Sequence, residues 1–143
     1  MTIRDSYCTF RVDDLYFGVE VRQVQEVIRY QPTTRVPLAP GVVQGLMNLR
    51  GQIVTALGLR NRLGLPAAEG DDKPMNVVIR TADGPVSLLV DEIGDVVQAD
   101  QDCFEPPPET VQGAQRDLIR GVFKLEGRLL LILDTERVVQ IAA

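Results

Sequence analysis

Apolar and polar residues alternate along most of this chain, in short segments separated by turn-forming residues. The first two segments, residues 7–12 and 15–19, lie on either side of an Asp-Asp pair. A period of two is typical of β-strands with one buried face, and a two-residue polar connection predicts a hairpin. The pattern therefore predicts about ten short strands and an all-β fold built of small barrels. The other predicted strands are residues 42–49, 52–57, 75–81, 86–90, 93–97, 118–125 and 128–133.

The segments between these strands predict a few short helices and loops. Residues 21–28 have apolar positions at helical spacing, which fits either one amphipathic helix or a helix that passes into a strand. Asp134 is placed to cap a closing helix that runs to Ile141. Gly58 precedes a single helical turn over residues 59–63, and because glycine lacks a capping oxygen, we expect that helix to be the shorter. Proline and glycine indicate an extended connection, a linker and an acidic loop at residues 30–40, 66–74 and 100–108.

The composition narrows the possible functions. The chain has 143 residues, 45% of them hydrophobic and 24% charged, which is typical of a globular domain that needs no metal or disulfide. It contains no histidine, so Ser-His-Asp and Cys-His catalytic arrangements and histidine-ligated metal sites are excluded. The net charge of −5 argues against an electrostatic nucleic-acid surface. Because no secretory stretch or long apolar run occurs, we expect a cytoplasmic protein that does not insert into a membrane.

An internal repeat links the two halves of the sequence. Residues 45–57 align without a gap with the segment that begins 76 positions later, and glycine or leucine coincides at four positions. Residues 21–27 share a looser pattern with residues 90–96, in which Glu26 corresponds to Asp95. Such self-similarity indicates that one supersecondary unit occurs twice.

The repeat also predicts how the domain is organised. We expect a single domain over residues 6–139 that contains two similar barrel subdomains. The approximate repeat halves are residues 6–65 and 75–139, joined by the linker, and strands can be exchanged between the barrels. Each half is small, so neither would bury enough surface to be robust alone.

No known catalytic motif occurs in the sequence. Phosphate-binding, dinucleotide-binding and nucleophile-elbow patterns are all absent. The carboxylate pairs lie in or beside predicted loops, where solvated acidity is the ordinary explanation. The residues therefore give no argument for catalysis, although they do not exclude it, and we expect no cofactor or metal.

Arg50 is the most informative polar residue. It occupies a hairpin tip within the N-L-R-G segment of residues 48–51, and its repeat counterpart is Glu126, so the fold itself does not require a cation there. Arg50 either pairs with a partner's carboxylate or carbonyls, or only solvates the turn. Phe104, which introduces the acidic loop, either tucks into the second barrel or anchors a partner. A choice between core and partner surface likewise stays open for Val27, Val36 and Leu49.

Taken together, these motifs resemble the CheW family of bacterial chemotaxis coupling proteins. The resemblance runs from about Ser6 to Val139, and its specificity lies in the order and spacing of several parts. The matching parts are Phe17-Gly18-Val19, Val24-x-Glu26-Val27, Pro37, Gly45-x-x-Asn48-Leu49-Arg50-Gly51, Leu88-Leu89-Val90-Asp91-x-Ile93-x-Asp95-Val96, Ile119-x-Gly121-Val122 and Gly127-Arg128-Leu129-Leu130-Leu131-Ile132-Leu133-Asp134.

The resemblance implies a fold and a function. The fold would be two intertwined five-stranded SH3-like β-barrels, mainly β with short helices. The function would be a non-enzymatic adaptor that couples the cytoplasmic tip of methyl-accepting receptors to the regulatory domain of a CheA-type histidine kinase. Such adaptors are cytoplasmic and are recruited to membrane-associated receptor arrays.

Two sets of contact residues follow from the resemblance. The receptor contacts carry over to Arg50, Asn48, Leu49, Val27 and Val36. Kinase contacts in the family come from loops on the barrels, and no motif of this chain identifies them. Our candidates lie in the loop of residues 104–111: Phe104, Glu105, Thr110 and Val111.

Two other functions stay open at this point. One is a divergent adaptor of the same family that serves a pilus or gliding-motility array. The other is a small-ligand-binding β-barrel or an enzyme that uses the cleft between its two barrels, for which apolar residues and nearby carboxylates would provide the site.

Overall fold

Ten β-strands make up most of the described chain, which comprises residues 4–66 and 73–140 of a computed structural model. Each predicted strand is present, and several are longer than predicted. Residues 67–72 of the predicted linker and Ile141 of the predicted last helix lie outside the described residues. The strands are β1 (Arg4–Val12), β2 (Leu15–Glu20), β3 (Val24–Ile28), β4 (Val43–Leu49), β5 (Gln52–Gly58), β6 (Met75–Thr81), β7 (Gly84–Val90), β8 (Glu92–Asp100), β9 (Ile119–Leu125) and β10 (Arg128–Leu133).

Short helices occur at the turns between strands. Residues 21–28 follow the second of the two predicted alternatives, because a 3₁₀ turn at Val21–Gln23 passes directly into β3. The Asp134 carboxylate accepts a hydrogen bond from the Arg137 N–H at 3.2 Å and caps the last helix, whereas Gly58 offers no side-chain cap. The helix after Gly58 is the shorter, as expected. The α-helices are α1 (Leu59–Arg62), α2 (Ala114–Asp117) and α3 (Thr135–Val139).

The strands form two five-stranded barrels. The central barrel has the strand order β3-β6-β7-β5-β4, and the terminal barrel has the order β8-β1-β2-β10-β9. In each barrel one pair of strands is parallel, β5 with β7 and β2 with β10, and the other neighbours are antiparallel. A bridge between Thr34 and Leu46 covers the outer edge of β4, and a bridge between Glu105 and Val122 covers the outer edge of β9.

The two barrels are intertwined, which confirms the fold implied by the resemblance. The central barrel uses consecutive strands, β3 to β7, whereas the terminal barrel combines β1 and β2 with β8, β9 and β10. Each half of the sequence therefore supplies strands to both barrels. The pseudo-repeat of residues 6–65 and 75–139 stays a prediction. A repeat requires corresponding strands to follow one another in the same order in both barrels, as they do here.

The looser sequence pattern coincides with a β-bulge in each barrel. β3 has an extra residue, Gln25, between its pairings with β6. β8 has the same irregularity at Gly94-Asp95, opposite Thr9 of β1. A bulge bends an edge strand and interrupts its pairing. Glu26 and Asp95 consequently stand at corresponding places on the two edge strands.

One large apolar cluster joins the barrels. It contains fully buried side chains of both, including Phe10 and Phe17 of the terminal barrel and Leu57 and Leu88 of the central barrel. Each barrel also has a smaller cluster of its own. Because the largest cluster is shared, separating the barrels would expose apolar surface on both.

Two arginines of α1 connect the barrels through polar contacts. Arg60 donates two hydrogen bonds to the Asp91 carboxylate, at 3.0 and 2.6 Å, and Asp91 also accepts from the backbone N–H of Asp13 at 2.7 Å. Burial raises the pKa of Asp91, but the hydrogen bonds from Arg60 and from Asp13 outweigh it and hold the pKa below its usual value. Arg62 donates to backbone carbonyls at the end of α3.

Candidate functional site

The turn between β4 and β5 presents Arg50 in an unusual backbone conformation. Arg50 has φ 53° and Gly51 has φ 86°, so both central residues of the turn are left-handed. This is the requirement of the tight hairpin turns that match the twist of the strands. Asn48 stabilises the turn, because its Oδ1 accepts a hydrogen bond from the Gly51 N–H at 2.8 Å. At the equivalent turn between β9 and β10, Gly127 alone has a positive φ.

The guanidinium of Arg50 is held by a carboxylate on the opposite edge of the central barrel. Arg50 Nη1 donates to Glu26 Oε2 at 2.6 Å, and Nη2 donates to Oε1 at 2.9 Å. The Glu26 side chain is only 17% exposed, whereas that of Arg50 is 71% exposed. The hydrogen bonds that Arg50 donates to the Glu26 carboxylate raise the pKa of Arg50 above its usual value. The pair therefore fixes the guanidinium while leaving much of its surface open to a partner.

Apolar residues beside this ion pair divide into exposed and buried ones. Val27 follows Glu26 and is 38% exposed, and Ile53 of β5 is 61% exposed. Leu49 is buried with Met47 and Val54 in the central barrel's own cluster. Of the residues that the resemblance implies, Arg50 and Val27 can offer surface to a partner, while Leu49 supports the turn from below.

Val36 lies in a different local environment from Arg50. It is half-buried in the proline-rich connection between β3 and β4. It lines a cavity of about 610 Å³ together with neighbours such as Arg35 and Leu38. The main-chain bridge from Thr34 to Leu46 fixes this connection against β4.

The predicted kinase contacts fall into two groups, of which the first closes the terminal barrel. Phe104 packs against Phe123 with ring centroids 5.2 Å apart, so it tucks into the barrel, one of its two predicted positions. Glu105 exchanges backbone hydrogen bonds with Val122 at 2.9 and 2.8 Å. Its carboxylate lies 3.6 Å from Lys124 Nζ and is 45% exposed.

The second group, Thr110 and Val111, lines a groove on the terminal barrel. Arg116 Nη1 donates to the carbonyls of Pro108 and Val111, at 2.9 and 3.1 Å, and so fixes the loop. The groove has a volume of about 600 Å³. Its walls come from the terminal barrel and from residues 110–115, so this groove is not a cleft between the barrels.

The residue that the sequence predictions missed is Glu26. The repeat pattern singles it out as an acid, but nothing in the pattern pairs it with Arg50. Within residues 4–66 and 73–140, no group of three or more cysteine, aspartate or glutamate side chains is arranged to hold a metal ion. No helix in that part of the chain is long and apolar enough to cross a membrane.

Comparison with known proteins identifies the family. The model of the CheW-like domain family matches residues 6–143. The chain belongs to the CheW-like domain family. Among CheW-like relatives, the chemotaxis protein CheW of Bacillus subtilis (strain 168) is 35% identical over 129 residues, which cover 90% of this chain and 83% of the relative. The chemotaxis protein CheW of Rhizobium meliloti (strain 1021) is 33% identical, with the same coverage of both chains.

A solved CheW structure has the same fold. The scaffolding protein TtCheW from Thermoanaerobacter tengcongensis superposes with a TM-score of 0.87 at 22% sequence identity, covering 97% of this chain and 94% of that one. The resemblance seen in the sequence and the fold that it implied are therefore confirmed. As a CheW-like protein, the chain is an adaptor and not an enzyme.

Proposed function

We propose that this protein couples methyl-accepting chemotaxis receptors to a CheA-type histidine kinase. Its membership of the CheW-like family and the chemotaxis names of its relatives support a place in chemosensory signalling. In this role it works in the cytoplasm, at membrane-associated receptor arrays. The observation that carries the proposal is the exposed guanidinium of Arg50, fixed on a left-handed turn by Glu26.

The receptor binds the face around this turn. Arg50 supplies a fixed, directional cation for a receptor carboxylate or carbonyl, and Val27 supplies apolar surface beside it. Asn48 and Leu49 shape the turn, through the hydrogen bond to Gly51 and through the core. Val36 is a separate receptor contact on the proline-rich connection, in the cavity that it lines with Arg35 and Leu38.

The kinase binds the terminal barrel at the loop of residues 104–111. Phe104 and Glu105 fix the beginning of this loop on β9, through the packing on Phe123 and the backbone pairing with Val122. Arg116 holds the carbonyl of Val111, and Thr110 and Val111 line the groove. A loop that is ordered before binding loses less entropy on association.

Coupling is tested by co-sedimentation with receptor-bearing membrane vesicles and with the kinase, both from the organism that encodes this chain. We expect the protein to sediment with the receptor vesicles and to bring the kinase with it. If neither partner retains it, the coupling function is wrong.

The role of Arg50 is tested by charge reversal. We expect Arg50→Glu to weaken receptor binding roughly tenfold or more, because it removes the cation and places a second carboxylate beside Glu26. Kinase binding should persist, since the other barrel is untouched. Glu126→Arg, a charge change at the equivalent turn of the terminal barrel, is the matched control and should leave receptor affinity unchanged.

The double variant Arg50→Glu with Glu26→Arg separates a binding role from a structural one. The swap restores an ion pair across the central barrel but reverses its orientation. If Arg50 contacts the receptor, the swap will not restore binding. Full recovery in the double variant would show that the pair only shapes the barrel, and unchanged binding by Arg50→Glu alone would remove Arg50 from the interface.

A further inference from the structure

Corresponding carboxylates of the two barrels differ in whether a cation of the chain pairs with them. In the central barrel, Glu26 follows the bulge of β3 and is neutralised by Arg50. In the terminal barrel, Asp95 lies in the corresponding bulge of β8, but the counterpart of Arg50 is Glu126. Among the residues that the structure describes, no lysine or arginine nitrogen lies within 4.0 Å of Asp95. The chain thus repeats the carboxylate without the cation.

Asp95 borders the groove on the terminal barrel, which has room for more than one side chain. The groove lies between the β1–β2 end of the barrel, the bulge of β8, the start of β10 and residues 110–115, with a volume of about 600 Å³. Half-buried apolar side chains make up its floor, so part of their surface faces the groove. These side chains are Leu15, Ile93, Val97, Val111 and Leu129.

The charges that border the groove leave it acidic. Arg11 is engaged, since its Nε donates to Glu92 at 3.2 Å and its Nη1 donates to the Asp13 carbonyl at 2.5 Å. Arg128 stacks on the ring of Tyr16 at 3.8 Å. Both guanidiniums therefore have partners. Three carboxylates line the groove against these two cations: Asp14, Glu92 and Asp95.

We propose that this groove binds an apolar segment of a protein partner through an arginine that pairs with Asp95. The arginine of the partner takes, at the bulge of β8, the place that Arg50 takes at the bulge of β3. Its apolar neighbours pack on the floor of the groove, which includes Val111, held in place by Arg116. Arginine suits the site better than lysine, because its planar fork binds a carboxylate through two hydrogen bonds. The groove includes Thr110 and Val111, so this inference shares that surface with the proposed kinase contacts, but its test does not require the kinase.

The experiment is a two-dimensional NMR titration of the full chain with the capped tripeptide acetyl-Leu-Arg-Leu-amide. The matched probe is acetyl-Leu-Gln-Leu-amide, which keeps the apolar side chains and lacks the cation. We expect saturating shift changes of the backbone amides of residues 92–97 and 110–115. The glutamine peptide should bind at least about fivefold more weakly, because a charge-assisted pair is lost.

Variants of the protein complete the test. Asp95→Asn should weaken the binding of the arginine peptide by a similar factor and leave the binding of the glutamine peptide unchanged. Its fold should persist, because the Asp95 side chain is exposed and its backbone carbonyl keeps the hydrogen bond from Thr9 Oγ1. Asp83→Asn, at an exposed carboxylate in the β6–β7 turn, is the matched control and should change nothing.

Three results would overturn the proposal. The first is equal affinity for the two peptides, and the second is an arginine peptide that binds Asp95→Asn as tightly as the unaltered chain. The third is an absence of shift changes at the groove, including the case in which changes appear only around Glu26 and Arg50. None of these results bears on the co-sedimentation with receptor and kinase.

Discussion

Gly45 and Gly121 occupy corresponding positions, and both are needed for the same atomic reason. A Cβ at Gly45 would lie 2.7 Å from the carbonyl oxygen of Thr34, and a Cβ at Gly121 would lie 2.6 Å from that of Glu105. In each barrel the glycine lies beneath the segment that closes the outer edge of the sheet. The repeated glycine therefore reflects barrel closure, where two backbones approach too closely for any side chain.

Replacing Gly121 should loosen the terminal barrel. In Gly121→Ala the new methyl group meets the Phe104 ring and the Glu105 backbone, so we expect unfolding to become easier by about 1–3 kcal/mol. Chemical denaturation followed by circular dichroism measures this change. Gly41→Ala is the control, because a Cβ there meets nothing within 4 Å. Equal stability of the two variants would contradict a role of Gly121 in closure.

At this scale the sequence indicates Arg50 but not its setting. The position of Arg50 at a hairpin tip and its difference from the repeat counterpart Glu126 can both be read from the sequence. The pairing with Glu26 is not, because it joins the two edges of one barrel, which only the closed barrel brings together. The left-handed backbone of Arg50 is equally hidden, since an arginine carries no local preference for positive φ.

Among the elements, α1 contributes far more than its four residues suggest. Gly58 leaves its N-terminus without a side-chain cap, and a helix of one turn has little stability of its own. Arg60 and Arg62 instead anchor it to Asp91 and to the end of α3. The helix therefore works as a connector between the barrels, stabilised by its tertiary contacts.

Removing the Asp91 carboxylate should release this connector. We expect Asp91→Asn to lower the free energy of unfolding near neutral pH by roughly 2 kcal/mol, because Arg60 loses a charged hydrogen-bond partner. Urea denaturation measures the difference. Glu92→Gln is the control: it breaks the exposed pair with Arg11 and should change stability by less than about 1 kcal/mol.

The effect of Asp91 should depend on pH in a defined direction. Its pKa in the folded protein lies below the usual value of 3.8, so its stabilising contribution is fully present above that value. The contribution is lost as the pH falls through the lower, folded-state pKa. The stability difference between the unaltered chain and Asp91→Asn should therefore shrink in acid, and a constant difference would contradict this account.

The alternation of apolar and polar residues predicts the strands well, but it fails where a segment is exposed or very short. β8 extends over Glu92–Asp100, beyond the predicted residues 93–97, because polar residues around its bulge obscure the period of two. α2 was not predicted, since its four residues follow Gly113 without a side-chain cap. Neither element has the local signals by which strands and helices are recognised.

In the whole molecule, neither half of the sequence contains a complete barrel. β1 and β2 take their remaining partners from strands more than 70 residues later, and β3, β4 and β5 require β6 and β7. The repeat predicts two similar barrels, but similar halves fit an exchanged and an unexchanged arrangement equally well. Only the pairing of β1 with β8 and of β2 with β10 decides between them.

Separating the halves should therefore abolish folding. We expect the fragment of residues 1–66 and the fragment of residues 73–143 each to lack dispersed NMR signals, because each would have incomplete sheets and half of the shared cluster. Mixing them should restore the spectrum of the full chain in part or in whole. A cooperative unfolding transition in either isolated fragment would contradict the dependence of the barrels on each other.

In the sequence, the strands of the central barrel lie between the first two and the last three strands of the terminal barrel, and this sets the order in which the barrels are synthesised. The strands of the central barrel lie between Val24 and Val90, so they are all synthesised before β9 and β10. The turn of Arg50 and its carboxylate partner belong to this earlier portion. β1 and β2, although translated first, must wait for β8 to β10, so their apolar faces are the ones that need protection in the nascent chain.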